Sequence, residues 1–202
     1  DTTEGVLLFF RLLAASGFSS LVQTLGDESP IDLIKPNLQL TRMPPVLRLL
    51  LVQLLKRRGS GRLSRMVEAA SQQSAAGYLD LAGDRLSYEQ RMRAALDTDG
   101  FDAILLPASP LPAVRHGDTA GLADFWGSCL LFNVLGWPAG VVPVTRVRPG
   151  EESDRPDNRE RTEQQARLVE AGSAGLPIGV QIAAPPWRED RILALMRVIE
   201  GQ

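Results

Sequence analysis

Few side chains in this chain of 202 residues can do covalent chemistry. There is one histidine, His116, one cysteine, Cys129, and two lysines, Lys35 and Lys56. A nucleophile needs a base to take its proton and donors for the oxyanion that develops. His116 stands two residues before Asp118, so with a distant serine it offers the members of a triad. The surrounding loop, Pro112-Ala-Val-Arg-His-Gly117, reads instead as solvent-facing, and no Gly-x-Ser-x-Gly elbow occurs. Lys35 falls in a proline-broken loop, and Lys56 ends a basic helix. Cys129, inside an apolar helical segment, reads as a buried, inert thiol. No catalytic residue is assigned from these. A single cysteine excludes an internal disulfide, and with one histidine it also argues against a zinc site, so no metal and no cofactor is expected.

The elements that would position such groups follow from apolar periodicity and from glycine and proline punctuation. Residues 6–16 predict a buried helix ending at Gly17, and residues 26–45 read as loop because of Pro30, Pro36, Pro44 and Pro45. Pro44-Pro45 suit the first turn of a helix over Val46 to Leu55 that stops near Gly59 and Gly61. A longer helical segment follows to about Thr98, with a break expected at Gly83-Asp84. Residues 101–107 form a continuous apolar run of strand length, which suits a central strand covered on both faces. A helix over 122–135, strands over 140–145 and 178–183, and an amphipathic helix over 187–201 complete the pattern. Between them, residues 148–170 belong to a stretch rich in arginine and acid with hardly any large apolar side chains, which reads as a solvated insertion. Strands alternating with helices indicate an α/β fold.

Charge is distributed unevenly. Between Leu33 and Val67 there are eight basic residues and no acidic one, although the chain as a whole carries a net charge of −2. Within 43–66, Leu47, Leu50, Leu51 and Leu54 occupy one side of the expected helix, while Arg48, Val52 and Lys56 share the other. Its apolar run is about half of the roughly 20 residues that span a bilayer. Two readings stay open: a helix lying in an anionic lipid interface, or a core helix with a solvated end. In the first, Arg48, Lys56, Arg57 and Arg58 face headgroups while Leu47, Leu50, Leu51, Leu54 and Leu55 enter the acyl region. Nucleic acid is not expected as a partner, because aromatics and binding motifs are lacking.

Four pieces stand in a recognisable order: Asp102-Ala-Ile-Leu-Leu-Pro-Ala108, Asn133-Val-Leu-Gly-Trp-Pro-Ala-Gly140 running into Val-Val-Pro-Val-Thr145, Gly175-Leu-Pro-Ile-Gly-Val-Gln181, and Pro186-Trp187 before an acidic helix start. Together they resemble the carboxyl-terminal end of the amidase signature family. The Leu-rich basic segment and Ala184-Pro-Pro-Trp-Arg-Glu189 are similar to the membrane-bound branch that hydrolyses fatty acid amides to free fatty acid and amine.

The resemblance implies a mixed β-sheet covered by helices, of which residues 1–202 are the carboxyl-terminal portion. It also implies a Ser-Ser-Lys catalytic core that precedes this portion, since Ser19-Ser20 and Gly59-Ser60-Gly61 lack the family's glycine pattern. The chain, which begins at Asp1, is therefore expected to start partway into a longer amidase and to be inactive alone, its partners being that amino-terminal catalytic part, a fatty acid amide and a membrane surface. Carried over by motif, Trp187, Trp126, Leu130, Phe18 and Leu21 correspond to the wall of an acyl channel; ordinary core packing is the alternative for each. With neither a secretory signal nor a run long enough to span a bilayer, an intracellular location on an internal membrane such as the endoplasmic reticulum is expected. Other readings are a non-catalytic lipid-binding fragment, or a soluble amidase acting on another amide, whose Leu-rich segment forms a homodimer interface.

Overall fold

The computed structural model describes residues 2–32, 34–122, 125, 127–156 and 160–201, without the side chains of residues 20, 62, 120, 121 and 161. The chain divides into two compact units, Asp1–Leu86 and Ser87–Gln202.

The first unit is helical. Helix α1 spans Thr2–Ala15 and buries Leu8, Ala14 and Ala15. It stops at Gly17, whose φ of 62° is one that glycine adopts without steric cost. Helices α2 (Ser19–Leu25) and α3 (Lys35–Thr41) lie in and beside the stretch expected to be loop. In α3 the proline starts the helix rather than breaking it, because Pro36 sits in the first turn, where no N–H is needed. Helix α4 spans Pro45–Arg57, with Pro45 at its first position, and packs against α5 (Gly61–Ala69), which in turn contacts α1. The Gln73 N–H donates to the Ala15 carbonyl at 2.9 Å and ties the chain after α5 back to the end of α1.

Helix α6 runs without interruption over Ala75–Asp99, so the expected break at Gly83 does not occur. One glycine costs about 1 kcal/mol relative to alanine, too little to end a helix that buries Leu81, Tyr88 and Leu96. It ends instead at Gly100 (φ 70°), where the Phe101 N–H reaches back to the Leu96 carbonyl at 2.9 Å.

The second unit holds a three-stranded antiparallel sheet in the order β1-β3-β2, with β1 Ile104–Pro107, β2 Ala139–Arg146 and β3 Pro177–Ala183. The apolar run expected as a central strand is thus an edge among the described residues, and Leu105 is 61% exposed. An unbroken apolar run reports length and β preference, not position in the sheet. The central place belongs to β3, where Gln181, Ile182 and Ala183 are all buried. Helix α9 (Glu189–Glu200) lies across β2 and β3, closing a core of Ile182, Ala184 and Ile192 with Met196. Gly140 permits that approach, because an added Cβ would collide with the Met196 sulfur. Asp102 and Arg191 form an ion pair between the residues before β1 and α9.

The segment expected to be a solvated insertion is in part structured. Residues Arg161–Glu170 form helix α8, and Ala166 and Val169 pack into a second core with Leu111, Leu122 and Phe125. A 3-10 turn at Asp118–Gly121 contacts α8. Arg155 closes the segment over this core. Its guanidinium donates to Glu163 at 2.6 Å and to Glu170 at 2.7 Å, and it lies 5.3 Å from the centre of the Phe125 ring. Burial acts to lower the pKa of Arg155, but hydrogen bonds to Glu170 and Glu163, with their charges, outweigh it and hold the group above its ordinary value.

Candidate functional site

The groups that could do covalent chemistry divide between the two units, Lys35 and Lys56 in the first and His116 and Cys129 in the second. Lys35 pairs with Asp32 at 2.7 Å and Lys56 with Glu68 at 3.6 Å; neither is hydrogen-bonded to a serine among the described residues. His116 is exposed in its loop, before the 3-10 turn that Asp118 begins. Cys129 is half-buried in α7 (Gly127–Leu135), and its Sγ donates to the Ala108 carbonyl at 3.3 Å. Among the described residues no group of three or more His, Cys, Asp or Glu side chains could hold a metal ion.

The most pronounced surface feature of the first unit is α4. Val46, Leu50 and Leu54 recur every fourth residue, with Leu47 and Leu49 beside them, and these five are between 44% and 69% exposed. Val52, on the other side, is 5% exposed, while Leu51 and Leu55 are half-buried. The helix therefore presents its apolar face outward. Arg48, expected to face headgroups, is instead half-buried and turned toward the end of α3. Its Nη2 donates to the carbonyls of Leu40, Thr41 and Met43 at 3.2–3.5 Å, taking up acceptors at the end of α3. Its Nε is buried without a partner. Lys56, Arg57 and Arg58 are exposed at the end of α4. Val46 and Leu49 were missed from sequence; a helical wheel places Val46, four residues before Leu50, on the same side, whereas Leu49 falls at the edge of that face, toward Val52.

The residues expected to line an acyl channel fall in both units. Phe18 precedes α2 and Leu21 lies in its first turn, both half-buried. Leu130 is half-buried in α7, and Trp187 stands 88% exposed in the turn before α9. Trp126 lies outside the described residues. Phe18 (φ 58°) and Trp187 (φ 68°) are the only non-glycine residues with positive φ among those described. A bulky side chain in that region costs about 1–3 kcal/mol, and such strain gathers at ligand sites.

Among its described residues the second unit also carries two concavities. The larger, about 450 Å³, lies beside the end of β2 and is edged by Arg146, Arg148, Glu151 and Glu152; the smaller, about 200 Å³, sits over Gly179 and Val141 against the loop 108–113. Neither is lined by Leu130 or Trp187.

The amidase family model matches residues 2–193. The chain belongs to the amidase family. Fatty acid amide hydrolase 1 of Caenorhabditis elegans is 36% identical over 117 residues, 56% of this chain and 20% of that protein. Fatty-acid amide hydrolase 1 of Sus scrofa is 29% identical over 194 residues, 93% of this chain and 33% of that protein. A solved fatty acid amide hydrolase superposes with a TM-score of 0.69 at 16% identity, covering 98% of this chain and 32% of its own, a likeness of fold. This amidase-family chain thus spans a third or less of the length of these relatives. Helices with a small antiparallel sheet match the amidase fold, as the sequence pattern and resemblance together anticipated.

Proposed function

We propose that this chain is the carboxyl-terminal part of a membrane-associated amidase that hydrolyses fatty acid amides. In this reading it supplies acyl-channel wall and a membrane-docking helix, while the nucleophile and its base come from outside residues 1–202. The observation that carries the membrane part is the outward apolar face of α4, five large aliphatic side chains bordered by Lys56, Arg57 and Arg58. Apolar surface of this kind calls for an apolar partner. Among the described residues no helix is long and apolar enough to cross a membrane, so α4 would lie in the interface with its basic end at the headgroups.

The substrate class rests on the similarity to relatives named for fatty acid amides. The positive φ of Phe18 and Trp187, two of the five channel candidates, supports a ligand role for them. Leu21, Leu130 and Trp126 complete the set by motif.

Flotation with phosphatidylserine-containing vesicles tests the docking. The chain should rise with the vesicles. The triple variant Lys56→Glu, Arg57→Glu, Arg58→Glu should lose most of that binding, since each basic residue near the surface contributes about 1 kcal/mol. Undiminished binding by the variant would remove the interfacial orientation. A dimer that detergent leaves intact would assign α4 to a subunit interface instead.

A further inference from the structure

We propose that Ser60 is a phosphorylation site, and that a phosphoryl group there releases α4 from an anionic lipid surface; the release rests on the membrane reading above. The acceptor pattern is Lys56-Arg57-Arg58-Gly59-Ser60-Gly61, with guanidinium groups two and three residues before the hydroxyl. Serine/threonine kinases that choose basic substrates read such groups with carboxylates in their cleft, by charge complementarity. Here the arginines are available. Arg57 and Arg58 are exposed and form no ion pair among the described residues, while the nearby Glu68 pairs with Lys56 at 3.6 Å.

The structure adds where the phosphate would sit. Ser60 occupies the N-cap position of α5 but makes no side-chain cap hydrogen bond, so its hydroxyl is not committed to the helix end. It is 7% exposed, in the corner between α4 and α5, so transfer takes place when this turn opens. Flanking glycines favour that opening: Gly59 holds a φ of 75°, and a Cβ at either Gly59 or Gly61 would meet nothing within 4 Å. In the reaction the Ser60 oxygen bonds to the γ-phosphorus of ATP, the bridging oxygen leaves with ADP, and the hydroxyl proton passes to a base of the kinase. The product adds a charge of about −1.5 to −2 within four residues of Lys56, Arg57 and Arg58, at a helix N-terminus that favours anions. Offsetting roughly two positive charges should weaken partitioning onto anionic vesicles roughly 30-fold.

The test treats the whole chain with ATP and a kinase selective for arginines two and three residues before the acceptor, then locates the phosphate by mass spectrometry. Both forms are floated on phosphatidylcholine vesicles with and without phosphatidylserine, and their far-ultraviolet circular dichroism is compared. The expected result is phosphate on Ser60, absent from Ser60→Ala, with unchanged helicity and a roughly 30-fold loss of binding to the anionic vesicles. No phosphate on Ser60 in the folded chain, or loss of binding that accompanies unfolding, would overturn the proposal. If the unmodified chain fails to float, the membrane reading falls and takes the release with it. If both forms float equally, only the release falls.

Discussion

Replacing Leu47 and Leu50 together with serine separates a lipid-facing helix from a core helix. In the folded chain Leu47 is 54% exposed and Leu50 57%. Complete burial of a leucine is worth about 1.5–3 kcal/mol, so roughly half of that, about 1 kcal/mol for each, is realised only when a partner covers the face. Losing both should weaken vesicle partitioning by about 2 kcal/mol, roughly 30-fold. Val52 provides the opposite case. It is 5% exposed on the inward side, and Val52→Ala removes two buried methyl groups at about 0.8 kcal/mol each, with a cavity cost added. That variant should lower the melting temperature and leave binding of the folded protein unchanged. Flotation read beside thermal unfolding by circular dichroism gives both quantities for each variant. Binding by Leu47→Ser/Leu50→Ser equal to that of the parent chain would refute the lipid-facing assignment of α4.

Arg155→Met removes the guanidinium that binds both Glu163 and Glu170, whose side chains are 16% and 11% exposed. Breaking a buried ion pair costs about 3–5 kcal/mol, reduced here by residual solvent to roughly 2–3 kcal/mol, and an unshifted thermal transition would contradict the clasp. Trp187→Ala removes an 88% exposed ring, so stability should change by no more than about 0.5 kcal/mol while binding of a fluorescent long-chain fatty acid falls. Lost stability with unchanged acyl binding would make Trp187 a packing residue.

The elements that sequence anticipated were those with a strong local signature. Helix α4 announced itself through Pro45 at its start and Gly59 and Gly61 beyond its end, and β3 through the apolar residues after Gly175-Leu-Pro. Those it missed depend on partners distant along the chain. Helix α8 is hidden in a charge-rich segment because only Ala166 and Val169 face its core, and the charges that look solvated close on Arg155 from eight and fifteen residues away. Arg48 belongs to the same class. Helical periodicity gave the side it occupies, but only the folded chain shows three carbonyls at the end of α3 waiting there. For the candidate site, motif order supplied Trp187 and Phe18, while their positive φ is set by the folded backbone around them.

The measurement that bears most directly on the central claim is hydrolysis of a long-chain fatty acid ethanolamide by the purified chain, followed as release of free fatty acid. Residues 1–202 alone should produce none, because Lys35 and Lys56 are engaged with Asp32 and Glu68 rather than with a serine. Turnover by the purified chain that disappears when one of its own serines is changed to alanine would contradict it.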